Sequence, residues 1–185
     1  MPDKAEDRIP SLDECHKLIR EYSMLPNIRE HSEQVLRVCL AIVDNLAHGV
    51  AVNRDLVVAA ALLHDITKTR SLETKEPHDS SGAALLRGLG YASIASIVEQ
   101  HVIFLDFNPD GRLEEREIVY YADKRVMHTA IVTVSERVAD LVARYGTTPE
   151  IRRLITENEA LVLAVERKIN GFMRIDLQEA IGALK

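Results

Sequence analysis

The chain has 185 residues, 46% of them hydrophobic and 4% aromatic, with 23 Lys and Arg against 29 Asp and Glu and a net charge of −6. This composition is typical of a globular protein with one core, so we expect a single domain over residues 1–185. An acidic chain without a Lys- or Arg-rich run lacks the cations that neutralise phosphates, which argues against nucleic acid as a partner. The oligomeric state is left open.

No apolar stretch approaches the ~20 residues that cross a bilayer. The N-terminal sequence MPDKAEDRIP is too charged for a secretory signal. We therefore expect a cytoplasmic protein with no membrane partner. The two cysteines, Cys15 and Cys39, are too few for a disulfide framework and lack zinc-site spacing, so we expect reduced packing residues.

Apolar residues recur at helical spacing from end to end, whereas strand patterns are almost absent. The sequence therefore predicts an all-α, single-domain helical bundle whose last helices lie at about 149–184. Ser11, Asn27, Asn53 and Asp176 are the expected helix caps. The predicted helices cover about 11–24, 27–48, 53–63, 77–89, 91–103, 113–129, 135–145, 149–169 and 176–184. A polar connection at 69–76 and a loop at 106–112 separate some of them.

Polar residues interrupt the apolar faces of five predicted helices. Burying an unpaired imidazole or carboxylate is costly, so each interruption needs a partner. A lone inward histidine is most often a hydrogen-bonded core residue. Several such groups in one core are better explained by a divalent metal, which neutralises carboxylates and uses imidazole lone pairs. The interrupting residues are His31, His64, Asp65, His78, His101 and Asp123.

Three segments in order carry a family resemblance: His31, LLHDITK at 62–68 and YADK at 121–124. They resemble the H…HD…D signature of the HD superfamily of metal-dependent phosphohydrolases. The resemblance covers about residues 27–145 and implies an HD-type helical fold. It also implies one metal held by His31, His64, Asp65 and Asp123, with Asp65 able to bridge to a second ion.

Two further segments resemble the additional histidine motifs of binuclear HD enzymes. They are EPHDSSGAALLRGLG at 76–90 and SIVEQH at 96–101. Similar motifs occur in bacterial symmetrical diadenosine tetraphosphatases and in HD-GYP phosphodiesterases, and they imply His78 and His101 as ligands of the second metal. The chain has no GYP motif, and RVMHTAIVTVSER follows YADK where the tetraphosphatases continue differently. The substrate is therefore left open.

A divalent ion held by His and Asp activates water and polarises a phosphoryl oxygen, as hydrolysis of a phosphoester requires. Ligands without thiolate suit Fe, Mn, Co or Zn, as one or two ions. Lys68 lies three and four residues after the HD pair, so it is a candidate catalytic cation beside Asp65. Lys124, Arg125 and Arg137 are candidate phosphate contacts or surface charges. The expected substrate is a small phosphorylated molecule such as a nucleotide.

Two other functions stay open. A di-iron oxygenase of HD fold uses the same His and Asp set to activate oxygen but needs no phosphate-binding cation, so Lys68 favours hydrolysis. A non-catalytic HD-like sensor or scaffold has usually lost ligands, whereas every ligand position is filled in this chain.

Overall fold

The computed structural model describes residues 7–184, and the first six residues of the N-terminal sequence considered above lie outside that range. Its helices are α1 Leu12–Glu21, α2 Pro26–Val43, α3 Arg54–Leu63, α4 Lys68–Thr74, α5 His78–Gly88, α6 Ala92–Val98, α7 Glu115–Asp123, α8 Val134–Tyr145, α9 Pro149–Gly171 and α10 Leu177–Gly182. A two-stranded antiparallel hairpin, β1 Val126–Met127 and β2 Ala130–Ile131, lies between α7 and α8. The predicted all-α fold is confirmed.

Helix α3 lies at the centre of the bundle because it is apolar on every side. Its residues Ala59 to Leu63 have no exposed surface. Helices α1, α2, α6 and α7 all pack against it. In the sequence the run from Leu56 to Leu63 is apolar on every side, which predicts a helix at the centre of a bundle, and α3 has this position. Cys15 and Cys39 are buried free thiols, as expected.

Several helix ends follow the predicted caps. The side chain of Ser11 accepts a hydrogen bond from the amide of Glu14 in a capping box, and Asn53 and Asp176 cap α3 and α10. Asn27, in contrast, does not cap α2. That helix begins at Pro26, whose fixed φ and missing N–H suit the first helical position.

Three other expectations were wrong. Residues Lys68–Thr74 form a helix, although they are polar, and they pack against α5. The helix predicted at 91–103 ends at Val98. The helix predicted at 113–129 ends at Asp123, because the chain turns there into the hairpin.

Gly82 lets α5 approach the centre of the bundle. A Cβ at this position would lie 3.2 Å from Cγ1 of Val98 on α6 and 3.3 Å from Oγ1 of Thr67. Oγ1 of Thr67 also donates a hydrogen bond to the carbonyl of His78 at 2.9 Å. These contacts fix the N-terminus of α5, which carries His78, beside the turn that follows α3.

Candidate metal centre

Five segments bring histidine and aspartate side chains to one region of the core. Each predicted ligand lies within a helix or at its edge, and all but the half-buried His78 are buried. They are His31 in α2, His64 and Asp65 directly after α3, His78 at the first position of α5, His101 shortly after α6, and Asp123 at the last position of α7.

The HD pair lies in a turn between two helices. Helix α3 ends at Leu63, and residues 64–67 form a turn before α4 begins at Lys68. In a continuous helix, adjacent side chains point about 100° apart. The turn allows His64 and Asp65 to face the same cluster.

Three imidazoles are oriented by backbone carbonyls. His64 and His101 each donate from Nδ1 to the carbonyl three residues earlier, at 2.8 and 2.6 Å. His31 donates from Nδ1 to the carbonyl of His128 at 3.0 Å. A carbonyl only accepts, so the proton is assigned to Nδ1 and the Nε2 lone pair faces the cluster. Metal-ligating histidines typically make this bond.

The first donor group contains His31, His64, Asp65 and Asp123. Nε2 of His31 lies 3.0 Å from Oδ1 of Asp123, and Nε2 of His64 lies 3.8 Å from the same oxygen. Nε2 of His64 is also 3.5 Å from Oδ2 of Asp65. Lone pairs and carboxylate oxygens this close are held together only by a proton or a cation between them.

The second donor group uses the other oxygen of Asp65. Nε2 of His78 lies 3.3 Å and Nε2 of His101 lies 3.5 Å from Oδ1 of Asp65. The two Nε2 atoms are 3.2 Å apart. The carboxylate of Asp65 therefore belongs to two groups of donors, one with His31 and His64 and one with His78 and His101.

Two buried polar atoms of this cluster show whether a metal ion fits the site. Nε2 of His64 and Oδ1 of Asp65 are buried and have no hydrogen-bond partner among residues 7–184. Ligand atoms of His31, His64 and Asp65 lie within 4.8 Å of one another, as do those of Asp65, His78 and His101. Nitrogen and carboxylate donors without thiolate suit a divalent transition metal, so these residues fit the expected ion.

The charge states of the HD pair also suit metal binding. Burial lowers the pKa of His64 to about 4, which leaves its imidazole neutral at pH 7. Burial acts to raise the pKa of Asp65, but the positive charge of Lys68, whose Nζ lies 2.8 Å from Oδ2, outweighs burial and holds that pKa well below its usual range. A neutral imidazole and an ionised carboxylate are the forms that ligate metals.

Two lysines contact the ligand carboxylates. Nζ of Lys68 lies 2.8 Å from Oδ2 of Asp65, and its side chain is 31% exposed. Nζ of Lys124 is buried and donates to Oδ2 of Asp123 at 2.7 Å and to the carbonyl of His101 at 2.8 Å. Lys68 therefore lies at the open side of the cluster, whereas Lys124 is enclosed between two ligand segments.

The two predicted arginine contacts are buried in other interactions. Arg125 donates from Nε to the carbonyl of Val132 at 2.7 Å. Arg137 donates from Nη1 to Asp140 at 2.7 Å, and its Nε is buried without a partner. In the structure the charges of Lys124, Arg125 and Arg137 are all engaged by partners within the chain. Phosphate binding by these three residues stays a prediction.

Sequence reasoning missed the contribution of His128. In the sequence His128 has no partner at ligand spacing, which predicts a structural or exposed residue. Its backbone carbonyl, rather than its imidazole, contacts His31. A backbone acceptor leaves no signal in residue type, so only the folded chain reveals it.

A known protein family matches the part of the chain that carries these residues. Residues 28–127 match the model of the HD domain family, and this range contains all six candidate ligands. The chain belongs to the HD domain family. The resemblance to diadenosine tetraphosphatases gains no separate support.

The HD fold is also found in a solved structure. The crystal structure of a predicted HD superfamily hydrolase from an uncultured Thermotogales bacterium has a TM-score of 0.51 to this chain and 22% sequence identity. The alignment covers 84% of this chain and 89% of that one. At this identity the likeness concerns the HD fold alone.

Among residues 7–184, no helix combines the length and the apolar character needed to cross a bilayer.

Proposed function

We propose that this HD-domain protein is a metal-dependent phosphohydrolase that cleaves a phosphoester or phosphoanhydride of a nucleotide or similar small molecule. The observation that carries the proposal is the carboxylate of Asp65, which belongs to two separate groups of donor atoms, one with His31 and His64 and one with His78 and His101. HD superfamily membership supports hydrolysis as the reaction class.

The two donor groups would hold two ions. The first ion would be held by His31, His64, Asp65 and Asp123, and the second by Asp65, His78 and His101. When bound, such ions activate water and polarise phosphoryl oxygens. Fe, Mn, Co and Zn all suit these donors.

The residues of the chain prepare this site before substrate arrives. The Nδ1 protons of His31, His64 and His101 are held by backbone carbonyls, so each ring keeps its Nε2 lone pair directed inward. Lys124 balances the charge on the second oxygen of Asp123. Because these donors are already oriented, the side chains need to rearrange less when metal and substrate bind and react.

Lys68 and His78 mark the side from which substrate would enter. Their side chains are 31% and 25% exposed, whereas those of His64, Asp65 and His101 are at most 2% exposed. An ammonium group at this opening can pair with phosphoryl oxygens and stabilise the negative charge of the transition state. We therefore assign Lys68 to substrate binding and charge stabilisation, and Asp65 to metal binding at the reacting centre.

The two alternative functions predict other behaviour. A di-iron oxygenase would use the same donors but would consume oxygen and gain nothing from the Lys68 ammonium. A sensor or scaffold would bind ligand without turnover. The complete donor set and the cation at the opening favour hydrolysis over both.

The test combines metal analysis with a substrate panel. Protein expressed with added Mn, Fe, Co or Zn is analysed for bound metal and assayed for release of phosphate from nucleotides and simple phosphoesters. Asp65→Asn removes the bridging negative charge at constant size. Asp55→Asn, an exposed change in α3, is the matched control. We expect metal binding and hydrolysis in the wild type and the control, and loss of both in Asp65→Asn.

Two results would refute the proposal. If the wild-type protein takes up no metal under any loading condition, the proposal of a metal-dependent enzyme is wrong. Protein that binds metal and consumes oxygen, or binds phosphoesters without turnover, would support an alternative function instead.

A further inference from the structure

The hairpin after α7 has an unusual residue at its turn. Val126 pairs with Ile131 and Met127 pairs with Ala130, which leaves His128 and Thr129 as the two turn residues. His128 has φ +56°, in the left-handed region where a side chain costs energy and glycine is favoured. Strain of this kind persists only where the surrounding structure imposes it.

The strained turn is joined to the metal centre. The carbonyl of His128 accepts the Nδ1 proton of His31 at 3.0 Å, across 97 residues of sequence. For His64 and His101 the acceptor belongs to the same local segment, three residues earlier. His31 alone among these three depends on a distant segment for the orientation of its ring.

Hydrogen bonds of Arg125 connect the hairpin to helices α7 and α9. Its Nε donates to the carbonyl of Val132 at 2.7 Å, and its own carbonyl accepts from the amide of Val132 at 2.9 Å. Its Nη1 donates to the hydroxyl of Tyr121 on α7, which in turn donates to Glu166 on α9. The residues on either side of the hairpin are thereby held together and anchored to two helices.

The surroundings of Arg125 argue against a direct contact with substrate. The residue is 4% exposed. Its guanidinium contacts a backbone carbonyl, a tyrosine hydroxyl and, at 3.6 Å, the carboxylate of Glu166. A phosphate would have to displace these buried partners at a desolvation cost.

We propose that Arg125 is a positioning residue, which closes the hairpin at 126–131 and so holds the carbonyl of His128 on Nδ1 of His31. It thereby keeps His31 in the tautomer whose Nε2 faces the first donor group. This inference rests on the proposed metal centre, but the tautomer of His31 is measurable in metal-free protein.

The first experiment replaces the guanidinium. In metal-free wild-type protein, nitrogen NMR of the histidine rings is expected to show the proton of His31 on Nδ1. In Arg125→Met, the Nδ1 proton is expected to exchange partly to Nε2. The dissociation constant for Zn²⁺, measured by chelator competition, should rise about 10- to 100-fold, as losses of groups that orient ligands typically cause. Arg153→Met, an exposed change in α9, is the control and should alter neither quantity.

Variants of the turn residue separate backbone from side chain. His128→Gly keeps the carbonyl and relieves the left-handed strain, so the tautomer and the Zn²⁺ affinity should match the wild type. His128→Val places a branched side chain at positive φ and should reproduce the loss seen in Arg125→Met. Tyr121→Phe removes one partner of Arg125 and should shift the His31 tautomer and the Zn²⁺ affinity in the same direction by a smaller amount. This variant tests the role of Arg125 if Arg125→Met does not fold.

The outcomes separate this inference from the proposed function. A wild-type tautomer and Zn²⁺ affinity in both Arg125→Met and Tyr121→Phe would overturn the positioning role. If Arg125→Met raised KM for a phosphoester while the His31 tautomer and the Zn²⁺ affinity stayed at their wild-type values, Arg125 would instead be a phosphate contact. A wild-type protein that binds no metal but has Nδ1 of His31 protonated, with that proton lost in the variants, would retain the inference and refute the proposed function.

Discussion

The two donor groups around Asp65 predict that one ion can be removed without the other. His78→Ala with His101→Ala deletes both imidazoles of the second group. That group then retains only Oδ1 of Asp65, whereas the first group keeps its four donor residues. We expect the metal content to fall from about two ions to about one per chain, as one ion of a two-metal site is lost.

The same substitution should reduce hydrolysis strongly. One ion would no longer be available to oppose developing charge, and losing a preorganised stabilising group of this kind typically costs on the order of 10²–10³ in rate. Metal content is measured by elemental analysis after loading and dialysis, and phosphate release is measured on the same sample. His48→Ala is the matched control because His48 is exposed.

Folding must be followed in parallel, because His101 is buried and its truncation leaves a cavity. A cooperative thermal transition in the double variant establishes that the remaining ion is held by folded protein. Metal content unchanged from the wild type would show that His78 and His101 are not ligands, and the site would hold one ion. Loss of both ions would show that the two groups are not independent.

Three further outcomes follow from the structure. Lys68→Met should lower phosphoester turnover by a factor on the order of 10²–10³, while metal content stays nearly intact. Turnover equal to that of the exposed control Lys17→Met would show that Lys68 takes no part in the reaction. For each ion bound, a free metal concentration about 100 times the dissociation constant should stabilise the fold by about 2.7 kcal/mol. In a protein of this size, that raises the thermal midpoint by about 5–10 °C per ion. A midpoint unchanged by chelator would contradict binding in the core. Burial raises the pKa of Cys15 to about 12 and also raises that of Cys39, so neither thiol should react with a disulfide reagent at pH 8 until the protein unfolds.

The sequence by itself determined the helical class and the set of candidate ligands. Apolar spacing identified the buried α3, because a helix that is hydrophobic all round has to lie inside. His31 and Asp123 were recognisable for the opposite reason, since a polar group on an apolar face requires a partner in the core. Both signals lie in local spacing, and the structure brings these ligand candidates together.

Only the tertiary structure decided how the ligands are oriented and what the neighbouring charges do. The polar segment at Lys68–Thr74 gave no apolar stripe, yet it is helical where it packs on α5. The hairpin at 126–131 was hidden because its strands have two residues each, too short for an alternating pattern. The role of Arg125 was equally hidden. Its partners are the carbonyl of Val132, the hydroxyl of Tyr121 and the distant carboxylate of Glu166, and the residue type at position 125 indicates only a positive charge.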